Sequence, residues 1–148
     1  MKYISRISRL AELYRNERMK EFGLTGAQHI YILNICRSPG VSQEQLAGQI
    51  YVNKSSVARQ LAALEKSGFI TRIADECDKR QLRVFPTQRA LDTLPKVREI
   101  LRELNVALLD GFTQEEQDAL TSMLCIVLDK SIAIADTTPN NRKDLLQQ

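Results

Sequence analysis

Asn53-Lys54-Ser55-Ser56, followed by Arg59 and Gln60, places six polar side chains in about two helical turns. Small hydroxyls allow close approach and donate to phosphates. Arg59 can donate bidentately to guanine, and Gln60 can pair bidentately with adenine. An exposed helix N-terminus favours an anion by itself. The other reading is that Asn53, Ser55 and Ser56 only cap a helix. A second polar cluster, Asp78-Lys79-Arg80, lies about twenty residues on. A basic tip of this kind can enter a narrow, electronegative groove, and Asp78 could hold Arg80 extended. It also reads as a solvated turn.

The remaining candidate chemistry is sparse. His29 is the only histidine, and Cys36 lies seven residues on, about 10 Å along a helix and too far for a nucleophile–base pair. There is no CxxC pair, so no zinc site is expected, and no catalytic motif marks an enzyme. Cys36, Cys77 and Cys125 are far apart and odd in number, which suggests reduced thiols. Cys77 has Lys79 and Arg80 nearby to lower its pKa, and Asp75, Glu76 and Asp78 to oppose that. An oxidant sensor at Cys77 and an incidental cysteine are both open. Cys36 and Cys125 lie in apolar helical runs and are expected in the core.

The elements that must position these residues can be read from periodicity. Ile4, Ile7, Ala11 and Tyr14 form one stripe of a first helix that ends at Gly23. Thr25 with Gln28 opens a second, stopped by Ser38-Pro39-Gly40. Ser42 with Gln45 starts a third. Asn53 caps a fourth, whose apolar stripe is Val57, Leu61 and Leu64, ended by Gly68. Arg59 lies off that stripe and Gln60 at its edge. Two short strands follow, Phe69 to Ala74 and Gln81 to Phe85, with a charged turn between them. Thr87 caps a long helix in which Leu91, Leu94, Val97, Leu101, Leu104 and Leu108 form a near-heptad seam that would need a partner. Pro95 should kink that helix or mark its true start. Thr113 with Glu116 opens the last helix, and the polar stretch from Asp136 to Gln148 should fray.

Three helices and a hairpin make a winged helix-turn-helix, so the fold class is mainly α with a small β-hairpin wing and flanking helices, whose apolar seam would suit dimerisation helices. The parts are residues 1–22, 24–90 and 91–148. The chain has 148 residues with a net charge of +3. Residues 53–90 carry eight basic and four acidic side chains, while residues 91–148 carry six and ten. That asymmetry suits one face turned to a polyanion. No apolar run is long enough to span a bilayer, and the N-terminal residues hold no signal core, so a cytoplasmic protein is expected.

Leu24-Thr25-x-x-Gln28, Gln45-Leu46-Ala47 and Asn53-Lys54-Ser55-Ser56-Val57-x-Arg59 occur in that order. Leu64-Glu65-x-x-Gly68-Phe69-Ile70-x-Arg72 and Asp78-x-Arg80-x-x-x-Val84 follow. The ordered set resembles the MarR family of bacterial transcription regulators. The resemblance implies homodimers that bind pseudo-palindromic double-stranded DNA, usually repress, and often release it on binding a small aromatic or anionic ligand. It makes Ser42, Asn53, Lys54, Ser55, Ser56, Arg59, Gln60, Arg72, Asp78, Lys79 and Arg80 the candidate DNA-contacting residues. Tyr14, His29 and Tyr31 are candidates for a ligand pocket, with core and interface packing as the alternative. No cofactor is implied. The family's Leu-Thr-x-x-Gly after the wing is Pro86-Thr87-x-x-Ala90 here, and Glu76 stands where the wing usually has proline. A winged-helix module that binds protein rather than DNA is the competing reading, which Lys54, Arg59, Lys79 and Arg80 oppose.

Overall fold

The computed structural model describes residues 2–76, 78–79 and 81–137. Helix α1 spans Lys2–Met19 and runs into a single 3-10 turn, Lys20–Phe22. A second 3-10 turn, Gly26–Gln28, leads into α2, His29–Arg37. Strand β1 is Val41–Ser42, α3 is Gln43–Ile50 and α4 is Lys54–Lys66. The hairpin is β2, Ile70–Ala74, and β3, Leu82–Pro86. Helices α5, Gln88–Leu108, and α6, Gln114–Thr137, complete the described chain. This is the mainly α winged-helix class that the periodicity predicts. Among the described residues, those up to Asn105 form one compact unit and those from Val106 to Thr137 a second.

The helix starts follow their sequence signals. The Gln28 side chain accepts from the Thr25 N–H at 2.9 Å. Ser42 Oγ accepts from the Gln45 N–H at 3.1 Å while Gln45 accepts from the Ser42 N–H at 3.0 Å. Glu116 and Thr113 exchange the same pair of bonds at 2.9 and 3.3 Å. Each box satisfies N–H groups that a helix leaves unpaired. Gly68 takes a φ of 73° just past α4, the left-handed geometry a C-cap needs.

The sheet differs from a bare hairpin. Its order is β1-β3-β2, all antiparallel, with Val41 opposite Val84 and Ile70 opposite Pro86. Two residues cannot display alternation, so β1 left no pattern to read. Thr87 closes the hairpin. Its N–H donates to the Phe69 carbonyl at 2.9 Å, and its hydroxyl reaches the Gly68 carbonyl at 2.7 Å.

The core of the first unit joins Leu24, Ile32 and Ile35 to Leu46, Val57, Leu61 and Leu64, with Phe69, Ile70 and Val84 beneath the wing. Ala90, Val97 and Ile100 bring α5 into it, with Leu94 and Leu101 packed alongside. Val97 is thus buried within its own chain, while Leu91 and Leu108 of the same seam stay exposed. A stripe at steps of three and four looks the same whether it faces a core or a second helix. Pro95 lies inside α5, so it does not mark the start of that helix.

Apolar side chains are exposed elsewhere. Tyr3, Ile4, Ile7, Leu10 and Leu13 on α1 are all exposed. In the second unit α6 buries none of its residues, and Met123, Ile126 and Leu128 are exposed. Cys125 is exposed as well, against the expectation of a core position. Among the described residues no helix is long and apolar enough to cross a membrane.

Candidate nucleic-acid interface

Helix α4 has two faces. Val57, Leu61 and Leu64 are fully buried and fix which side points inward. Ser55, Arg59, Ala62, Ala63 and Lys66 are exposed on the other side. Ala62, Ala63 and Lys66 were missed by the sequence reading. They recur at helical spacing from Ser55 and Arg59, and small side chains there let a helix approach a surface closely.

Asn53 caps the helix: its side chain accepts from the Ser56 N–H and the Ser55 hydroxyl, each at 2.8 Å. The cap and contact readings of Asn53 are thus compatible, since the cap is what sets the first turn. Arg59 lies one turn beyond Ser56 and reaches its hydroxyl at 3.4 Å. Lys54 pairs with Glu44 of α3, which ties the two helices of the helix-turn-helix together. Ser42 is only 7% exposed, and its hydroxyl is occupied in capping α3. Gln60 is half-buried and accepts from Gln28 Nε2 at 3.3 Å.

Arg72 and Glu65 join the wing to α4. The Arg72 guanidinium donates to Glu65 Oε2 through Nε at 3.0 Å and Nη2 at 2.5 Å. That partner holds the Glu65 carboxyl below its ordinary value. At the tip, Asp75 accepts from the Asp78 N–H at 3.0 Å and from Arg83 Nε at 2.5 Å. Asp78 in turn accepts from Gln81 Nε2 at 3.3 Å, and Lys79 is exposed. The roles of Asp75 and Arg83 were missed, although an Asp three residues before a turn residue is a recognised turn signal. Arg80 and Cys77 lie outside the described residues.

The candidate pocket residues all lie within the first unit. Tyr31 is 4% exposed, and burial pushes its phenol up while the charge of Arg59 pulls it down. The Tyr14 hydroxyl accepts from Arg18 at 2.8 Å and faces Glu103 at 3.4 Å. His29 Nδ1 meets the Gly26 carbonyl. Burial lowers the His29 pKa, the nearby Arg15 adds to this, and the Gly26 contact opposes it. Cys36 is half-buried, and its thiol is pushed up, away from reactivity. Among the described residues no group of His, Cys, Asp and Glu is placed to hold a metal.

Residues 22–81 match the sequence profile of the MarR family. A protein of Bacillus subtilis (strain 168), the uncharacterized HTH-type transcriptional regulator YybA, is 32% identical over 124 residues, 84% of this chain and 83% of its own. The chain belongs to the MarR family. A MarR transcriptional regulator from Methanosarcina mazei Go1 superposes with a TM-score of 0.84 at 26% identity, covering 90% of this chain and 96% of that one. A Listeria monocytogenes regulator assigned to the MarR family, crystallised in complex with 26mer DNA, gives 0.81 at 29% identity, covering 87% and 86%. MarR proteins are transcriptional regulators and not enzymes, and the winged helix built here from α3, α4 and the hairpin is their shared architecture.

Proposed function

We propose that the protein is a homodimeric repressor that reads a pseudo-palindromic operator in double-stranded DNA and leaves it on binding a small aromatic or anionic ligand. It works in the cytoplasm. The observation that carries the DNA-reading part is the division of α4. One face is locked into the core by Val57, Leu61 and Leu64, and the opposite face presents Ser55, Arg59 and Lys66 to solvent. An inward stripe fixes the helix's rotation, so its polar face is held in one orientation for a major groove. The family likeness supports the same reading, as does the relative crystallised with DNA.

In this reading Ser55, Ser56 and Arg59 approach base edges and phosphates. Asp78, Lys79 and Arg80 serve the wing, with Arg80 in the minor groove. Arg72 acts from a distance by fastening the wing to α4, and Ser42 by capping α3. Two copies set α4 about one helical turn of DNA apart. Exposed apolar side chains on α1, and separately on α6, support a dimer, since a monomer gains nothing by showing them to water. Tyr14, His29 and Tyr31 belong to the region where a ligand would act, and redox release through Cys77 is the alternative trigger.

A mobility-shift titration against duplex DNA from upstream of its own coding region tests the reading. We expect saturable binding that weakens steeply as salt rises. Arg59→Ala and Arg80→Ala should both reduce affinity, and Arg59→Ala should also change base preference. Wild-type affinity in both variants would overturn the assignment of contacts.

A further inference from the structure

We infer that Gln28, which lies away from the exposed face of α4, decides which hydrogen-bonding edge Gln60 offers to DNA. The inference rests on the DNA-reading proposal and deepens it. The argument begins at a backbone group that can act in only one way. The Thr25 N–H is a donor, so the Gln28 atom 2.9 Å from it must be the amide oxygen. This fixes the orientation of the whole Gln28 amide, leaving its NH2 directed at Gln60. Gln28 is 7% exposed, so water offers little competition for either end.

The atom of Gln60 that meets this NH2, at 3.3 Å, must therefore be an acceptor, Oε1. The Gln60 NH2 is the end left over. Gln60 sits at the rim of the α4 stripe, next in sequence to exposed Arg59 and half-buried itself. A free glutamine pairs with adenine through both ends of its amide at once. A glutamine whose oxygen is held by a buried neighbour presents donors. The edge that suits donors is guanine, with its adjacent N7 and O6 acceptors. Gln28 thus acts as a positioning residue, transmitting the polarity of a fixed backbone N–H through two amides to the reading surface.

Selection of binding sites from randomised duplexes, using the full chain, tests this. The wild type should prefer guanine at one position of each half-site, and Gln60→Ala should flatten the preference at that position alone. Gln28→Glu keeps the bond from Thr25 but turns an oxygen toward Gln60. Gln60 must then rotate its NH2 inward and its oxygen outward. The preference at that same position should move to the donor-bearing bases adenine or cytosine, by about fivefold or more in relative affinity. Gln28→Met removes the NH2 and frees the Gln60 amide to pair through both of its ends, so the guanine preference at that position should move toward adenine; this variant serves should Gln28→Glu fail to fold by circular dichroism.

A merely structural Gln28 would lower affinity evenly for all sequences and leave the base profile unchanged. That result, with binding intact, overturns this inference alone. A wild-type chain that binds no duplex at low salt overturns the DNA-reading proposal and this inference with it.

Discussion

Arg59 and His29 are opposite cases of what a single side chain can do. Arg59 stands on the exposed face of α4 with the Ser56 hydroxyl as a neighbour at 3.4 Å. Its removal should leave the fold intact, within about 0.5 kcal/mol, while DNA affinity falls. Thermal unfolding and a mobility shift on the same Arg59→Ala sample check both halves. His29 is half-buried against the Gly26 carbonyl, and its pKa is held below the ordinary 6.5. With the folded value depressed, the unfolded chain protonates first as pH falls. Stability is therefore complete above the unfolded value and declines as pH drops below 6.5 toward the folded value. His29→Gln should flatten that part of a pH-stability curve measured in urea. A curve of the same shape for both proteins would show that His29 is not its source. The lone histidine was visible in the sequence, but its environment was not. Gly26, three residues away, gives no hint that its carbonyl turns toward the ring.

Elements whose signals are local were legible, and those whose meaning depends on a distant partner were not. The three capping boxes, Gly68 and the hairpin all use residues within a few positions of one another. Strand β1 exists only because Val84 lies across from Val41. The stripe on α5 is covered by its own chain at Val97 and left exposed at Leu91 and Leu108, a division that periodicity, which names a face and not its neighbour, does not reveal. Arg72 was marked as a DNA contact from family likeness, and its bonds to Glu65 make it a strut between β2 and α4.

That strut has an acid limit. Glu65 has its pKa lowered by Arg72, so the contribution is present above the unfolded carboxyl value and is lost as pH falls through the folded one. Arg72→Met should therefore destabilise the protein near neutral pH, and by less below pH about 4. Parallel guanidinium melts at the two pH values measure this. A penalty independent of pH would point to packing instead. A tighter constraint lies where Gly26 crosses α1. Its N–H donates to Asn16 Oδ1 at 2.5 Å, and a Cβ there would stand 2.8 Å from the Asn16 nitrogen. Both atoms belong to α1, one of them backbone, so Gly26→Ala should cost about 1–3 kcal/mol, read as a lowered urea midpoint.

At the scale of the whole molecule, the proposal of two copies makes the sharpest demand. Ile7, Leu10 and Leu13 are each more than half exposed on α1, and on α6 Met123, Ile126 and Leu128 are too. If pairing covers such side chains, the melting temperature of the wild type should rise with protein concentration. Leu10→Glu on α1 and Ile126→Glu on α6 should each shift sedimentation toward the 16.8 kDa monomer. A monomer in the wild type at micromolar concentration would leave both faces unexplained and would defeat the two-copy reading. The charge division along the chain, basic in residues 53–90 and acidic beyond, fits the same scheme.

The closure at Thr87 has a practical corollary. Because the Thr87 N–H meets the Phe69 carbonyl at 2.9 Å, the two ends of the hairpin sit together, while Ile70 and Val84 in the core and the Arg72–Glu65 pair hold its body to the scaffold. Such a segment is a natural graft. Replacing residues 70–86 with the matching stretch of a relative, keeping Phe69, Ile70, Arg72, Val84 and Thr87, would exchange one groove-reading attachment for another without redrawing the helices that carry it.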